Sequence, residues 1–260
     1  VPDPSSRRSW VEQIMGMPIS VLARGEGARS PEADRAVGAV FRELVGVDAV
    51  FSLYKPDSDA SRLARGEVRL DECDPDIRVV ADRCAEAQEL TGGLFDAARP
   101  DGTWDPSGLV KGWAAERAAR QLAGVPVDWC LNAGGDVLVL SPSGEAFTVG
   151  IQDPRDVRRI AVAVPCAAGA VATSGTAARG AHLYDPRNGS AASTSWLSIS
   201  VLGPSLETAD VLATAAFVAG DRWQDVVGLV PGYAGLGIDA AGARHGTAEW
   251  PVEGHGRLGA

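Results

Sequence analysis

Among the 24 basic residues of this 260-residue chain only two are lysines, Lys55 and Lys111. Lys111 stands in DPSGLVKGWAAERAARQL (105–122), where a turn led by Asp105 runs into an Ala- and Arg-rich helix. Asp105 falls where an N-cap or first helical turn belongs, and capping alone would explain a carboxylate there. Lys111, one turn later, lies near the backbone N–H groups that make a helix start attractive to phosphate. Gly108 between them offers a carbonyl without side-chain bulk. A second pair occurs in LETADVLATAAFVAG (206–220), where Asp210 and Thr214 are four apart and share a helical face. A carboxylate and a hydroxyl beside an apolar stripe suit a hard cation, which takes oxygen ligands. On that pair alone, a solvated Asp and a Thr bonded back into its own helix is the better explanation.

Five further stretches carry chemistry-bearing residues, each with an ordinary structural alternative. ATSG (172–175) places hydroxyls and backbone N–H groups after an apolar strand, which makes either an anion nest or a plain turn. HLYDPRNG (182–189) holds His182, a proton carrier or ligand by type, ahead of the turn-forming Asp185–Pro186. NAGGDV (132–137) reads as a Gly-Gly-Asp hairpin turn that could also let a ligand approach the backbone closely, with Asp136 in support of a charged site. TGGLFD (91–96) ends a helix and puts Phe95 in the core with Asp96 at a loop start, and Tyr54 in FSLY (51–54) is either core or a stacking surface.

These residues need a scaffold, and the patterning predicts one. Helical periodicity marks 32–54, with Ala36, Val37, Val40, Phe41 and Leu44 on one face, and 75–93, with Val79, Val80, Ala87 and Leu90 apolar. A short capped helix is expected over 57–66, and longer ones over 107–123 and 206–220. Residues 10–24 read as one or two strands broken near Gly16. Beyond 123 come short β-rich runs separated by Gly, Pro, Asp and Ser. Helices first and adjacent short strands later predict an α+β fold with mixed, largely antiparallel sheets flanked by helices. The chain is expected to form one domain over 1–260, or two intertwined subdomains, with a loosely ordered Gly-rich tail at 244–260.

Composition narrows the function. A net charge of −10 opposes binding to nucleic acid or anionic lipid, so an anionic ligand needs a local cation. The four cysteines show no CxxC or zinc-like spacing and are expected as free thiols, with a Cys73–Cys84 bridge the alternative. There is no GxGxxG or GxxxxGK[ST] nucleotide cradle and no 18-residue apolar run. VPDPSSRRSWVEQ has neither an h-region nor a lipobox-like Cys, so the chain as it stands is expected in the cytoplasm, with export left open for a trimmed N-terminus.

Taken in order, MGMPISV (15–21), FSLYKPDSDASRL (51–63), GGLFD (92–96), DPSGLVKG (105–112), NAGGDV (132–137), ATSG (172–175), HLYDP (182–186) and ADVLATA (209–215) resemble the ApbE family of FAD:protein FMN transferases. The resemblance spans about residues 10 to 220. It implies an enzyme that binds FAD with Mg²⁺ and transfers FMN to a Thr or Ser hydroxyl of an acceptor protein, releasing AMP. It further implies metal ligation by Asp210 and Thr214 with the Gly108 carbonyl. Met15, Tyr54, Leu94, Phe95, Asp96, Asp105, Lys111 and Ile199 would contact FAD. His182 matches the family's histidine, and His182 and Asp185 are the expected general bases for the acceptor hydroxyl. The chain departs from the family pattern at Met17, where a small hydroxyl residue is usual, and at Ala97–Ala98 after Asp96. The segment from Asp96 to Asp105 is also short, and PRTG appears as Pro186–Arg187–Asn188–Gly189. Water as the nucleophile would give an FAD pyrophosphatase instead, and a site without turnover would leave an FAD-binding protein.

Overall fold

Serine and aspartate caps set where most of the helices begin. In the computed structural model, which describes residues 6–99, 101–176, 184–190, 192 and 194–251, α1 (Pro31–Phe51) starts at Ser30, whose hydroxyl accepts the Ala33 N–H, with Pro31 at the first helical position. Ser58 caps α2 (Asp59–Ala64), Asp74 caps α3 (Pro75–Leu90) and Ser205 caps α5 (Leu206–Ala219) in the same way. Two more helices, α4 (Ser107–Ala119) and α6 (Trp223–Val227), complete the set.

The strands are β1 (Arg7–Ile14), β2 (Met17–Arg24), β3 (Asp128–Ala133), β4 (Asp136–Leu140), β5 (Phe147–Asp153), β6 (Asp156–Cys166), β7 (Ala168–Gly175), β8 (Trp196–Gly203), β9 (Ala234–Asp239) and β10 (Arg244–Gly246). Eight of them form one sheet in the order β1-β2-β3-β4-β7-β8-β9-β10, with every neighbouring pair antiparallel. β5 and β6 leave this order and pair only with each other. The α+β class with largely antiparallel sheet is therefore the observed architecture.

Alternation along the strands gives the sheet two apolar faces. One face, with Ile19, Val21, Leu131, Ala172, Ile199 and Val201, shares the main core with α1, α4 and α5. The opposite face packs against the β5–β6 hairpin through two smaller clusters, one around Val139, Phe147 and Val171, the other around Val164, Leu236 and Trp250. α5 is buried nearly all round, as a helix wedged between a sheet and other helices must be.

Some expectations shift in register. On α3 the inward face is Ile77, Val80, Cys84 and Ala87, while Val79 and Leu90 are 44% and 40% exposed. Spacings of three, four and three make that face, and neither Val79 nor Leu90 falls on it. Residues 244–251 are built into the fold: β10 pairs with β9 and Trp250 is buried. Residues 252–260 lie outside the described residues. All four cysteines are free, so the alternative Cys73–Cys84 bridge is not formed. Among the described residues no helix is long and apolar enough to cross a membrane.

α4 and α5 approach tightly at Gly112 of α4. A Cβ there would lie 2.8 Å from the Glu207 Cα and 2.9 Å from the Leu206 carbonyl at the start of α5. Gly46, exposed on α1, has nothing within 4 Å of a Cβ. Gly112→Ala is therefore expected to destabilise the fold by about 1–3 kcal/mol, whereas Gly46→Ala gains about 0.5–1 kcal/mol from helix propensity. Urea unfolding of the two variants checks this, and equal effects would contradict the tight crossing.

Candidate active site

The C-terminal half of α4 is pinned to the N-terminus of α5. Glu116 of α4 accepts the backbone N–H of Leu206 and, at 3.4 Å, that of Glu207, placing a negative charge at the α5 N-terminus. With Gly112 allowing backbone contact, the next turn of α5 brings Asp210 against Lys111. The Lys111 Nζ lies 3.5 Å from Asp210 Oδ1 and is ion-paired more closely with Asp136 Oδ2. Both carboxylates are buried, each residue 2% exposed.

Asp136 arrives from the opposite direction. It opens β4 after the Gly134–Gly135 turn, whose φ angles of 63° and 108° belong to the left-handed region. Its Oδ1 accepts the Thr173 N–H of β7 at 3.0 Å. NAGGDV is a hairpin turn, and its Asp136 delivers a third charge to the site. The next residue of β7, Ser174, shares a hydrogen bond of 3.0 Å between its hydroxyl and that of Thr214. The spacing of TSG after an apolar strand was the available signal for that hydroxyl.

Two carboxylates thus share one ammonium in a buried site. Burial pushes the Asp210 carboxyl up, to about 7; Lys111 pulls it down, the Asp136 charge raises it, and the Gly112 amide lowers it. Asp210 Oδ2 is buried with no hydrogen-bond partner. In a regular helix the Gly112 amide is also the partner of the Gly108 carbonyl, so that carbonyl and the Asp210 carboxylate converge on one N–H. An orphaned carboxylate oxygen, the Thr214 hydroxyl and the Gly108 carbonyl form a hard-oxygen donor set that fits a divalent cation completing its shell with water and ligand oxygens. Among the described residues no three His, Cys, Asp or Glu side chains gather into a closed cage.

The predicted flavin-side residues collect around the start of α4. Phe95 lies against Gly108, 3.2 Å from where a Cβ would stand, and Leu94 and Phe95 are both buried. A short hairpin, closed by Asp105 N–H to Ala97 O at 2.7 Å, brings Asp96 and Asp105 back together. Asp96 accepts from Gln88 at 2.6 Å and from the Ala98 amide at 2.7 Å. Asp105 accepts from Arg99 Nε at 2.9 Å and from the Ser107 amide at 3.0 Å. Burial would raise its carboxyl, but the Ser107 and Arg99 hydrogen bonds outweigh that and hold it below the usual range. Met15 sits at φ 55° in the β1–β2 turn, and Met17 packs over Gly134, so the MGM and NAGGD turns adjoin.

Three predicted residues stand differently. Tyr54 is 97% exposed and touches almost nothing, so only a ligand or partner could cover it. Ile199 is fully buried in the main core and its backbone pairs with both β7 and β9. Asp185 accepts from Arg187 at 2.8 and 2.7 Å and from Asn188 at 3.2 Å, and the Arg187 guanidinium holds its carboxyl below the usual range. That makes it a loop-shaping group and a weak base. His182 lies outside the described residues. Sequence reasoning missed Tyr184. Burial pushes its phenol up, Arg99 pulls it down, and Asp105 and Asp96 add to the rise, which places the ring beside that hairpin.

The raised Asp210 carboxyl has a consequence for stability. The unfolded group releases its proton at lower pH than the folded one, so its contribution is fully present below about pH 4 and is lost as pH rises toward about 7. Asp210→Asn removes that loss and leaves Lys111 and Asp136 as a one-to-one pair. In divalent-free buffer the variant should exceed the wild type in stability at pH 8 by on the order of 1–3 kcal/mol, with a smaller difference at pH 4. Urea titrations at both pH values check this, and a less stable variant at pH 8 would contradict the assigned burial cost.

Comparison with known proteins agrees with this geometry. The model of the ApbE family matches residues 97–232. No curated protein matches the chain. Among solved structures, the ApbE protein of Thermotoga maritima superposes with a TM-score of 0.79 at 20% identity, covering 92% of this chain and 96% of that one. The flavin transferase ApbE of Vibrio cholerae gives 0.76 at 20% identity, covering 94% and 97%. The flavinyl transferase ApbE of Pseudomonas stutzeri gives 0.76 at 17% identity, covering 94% and 96%. At these identities the superpositions speak for the fold, while the family match takes in both helices of the site and the turn that carries Asp136: the chain belongs to the ApbE family.

Proposed function

We propose that this chain is a Mg²⁺-dependent flavin transferase that takes FAD, joins FMN through a phosphoester bond to a Thr or Ser hydroxyl of an acceptor protein, and releases AMP. The observation that carries this reading is the Asp210 carboxylate, buried with one oxygen unpartnered beside Lys111 and Thr214 near the start of α4. A diphosphate brings negative charge, and here a partly buried cation and oxygen ligands stand together. The structural neighbours from Vibrio cholerae and Pseudomonas stutzeri, described as flavin and flavinyl transferases, support the same chemistry.

In this reading the acceptor oxygen attacks the FMN-side phosphorus, the bond from that phosphorus to the AMP oxygen breaks, and AMP leaves with the bonding electrons. A divalent cation held by Asp210, Thr214 and the Gly108 carbonyl would supply charge neutralisation at the diphosphate. Lys111 would add a second positive charge there, and Asp105, held ionised by Ser107 and Arg99, would accept hydrogen bonds from the ligand. The hydroxyl proton would pass to His182, since Asp185 is engaged by Arg187. Phe95, Leu94 and Met15 would offer apolar surface to the flavin end, with Tyr54 folding onto it from solvent.

Incubation with FAD, Mg²⁺ and a Thr-bearing acceptor peptide should release AMP and add the mass of FMN to the peptide. Asp210→Ala should cut AMP release by roughly 100-fold or more, and Lys111→Ala should weaken FAD binding. AMP without labelled peptide would shift the reading to water as nucleophile. Bound FAD with no AMP in either tube, or wild-type turnover in Asp210→Ala, would overturn it.

A further inference from the structure

We infer that Asp136 is a positioning residue, which sets the Lys111 ammonium between the β4 turn and α5 so that Asp210 keeps an oxygen free for a cation. This rests on the flavin-transfer reading for what Lys111 touches, but the placement itself is read from the chain. Asp136 is the closer of the two carboxylates to Lys111. Its second oxygen is held by the Thr173 amide, and its backbone follows two glycines in the left-handed region. The carboxylate therefore has little freedom of its own. Asp210 has the opposite character: one oxygen reaches Lys111 at 3.5 Å and the other has no partner.

The division of labour follows from electrostatics. The Lys111 side chain is 23% exposed between two buried carboxylates, and when its first partner is removed it moves to the carboxylate that remains, because an unpaired buried carboxylate costs several kcal/mol. Without Asp136, Lys111 would collapse onto Asp210 and compete there with a cation. The ammonium would also be drawn from the position where a diphosphate could use it. Asp136 thus acts through Lys111, with no contact to the ligand required. Asp136→Asn retains an oxygen for the Thr173 amide and removes only the charge.

Because the chain contains only two lysines, selective ¹³C labelling of lysine gives two side-chain NMR signals, and Lys111→Met assigns them. In the absence of flavin, Asp136→Asn should move the Lys111 signal and leave that of Lys55, which pairs with Asp48 on the surface. FAD affinity, read by flavin fluorescence, should fall about tenfold in Asp136→Asn and in Lys111→Met, and no further in the double variant. An unmoved Lys111 signal would overturn the inference, as would losses that multiply in the double variant. A wild type that binds no FAD would instead sink the flavin reading, and the lysine signals would still decide the role of Asp136.

Discussion

One ammonium shared by two buried carboxylates is the interaction around which this structure is arranged. With Asp210 ionised, Lys111, Asp136 and Asp210 carry a local charge of minus one, a costly state that burial holds off until about pH 7 unless something positive completes it. That residual charge separates the site from a structural salt bridge, which would close its own balance. The chain tolerates it because each contributing backbone is fixed independently. Glu116 and Ser205 hold the start of α5, Gly112 sets the helix crossing, and the Gly134–Gly135 turn with the Thr173 amide holds Asp136.

The surrounding elements follow from that requirement. The antiparallel sheet brings β4 and β7 side by side, so a turn residue on one and the hydroxyl of Ser174 on the other face the same helix pair. The hairpin over 97–105 then folds Asp96 and Asp105 back over the start of α4, with Arg99 and Tyr184 beside them. The β5–β6 hairpin covers the far face of the sheet with its own small clusters. It stiffens the sheet and carries none of the predicted site residues.

Much of this was legible in the residues. Ser and Asp caps, Pro at the first helical position and short β-rich runs after 123 gave the element order, because those signals are local. DPSGLVKG and ADVLATA marked the two helices that meet at the site. What escaped were contacts made across the fold. Asp136 looks like any Gly-Gly-Asp turn, and nothing nearby in sequence says that its carboxylate meets a lysine on α4. Asp185 carries the right chemistry for a base, yet Arg187, two residues on, engages both its oxygens. On α3, Val79 was grouped with the inward residues although the helical face runs through Ile77, Val80, Cys84 and Ala87.

In the proposed function a divalent cation binds between α4 and α5, at Asp210 and Thr214. Crystals grown with Mn²⁺ and ADP, measured at the manganese edge, test it most directly. The account predicts an anomalous peak about 2.0–2.3 Å from Asp210 Oδ2 and Thr214 Oγ1, with the Lys111 ammonium turned toward the diphosphate. Lys111 still seated between Asp136 and Asp210, with no peak at these oxygens, would contradict it.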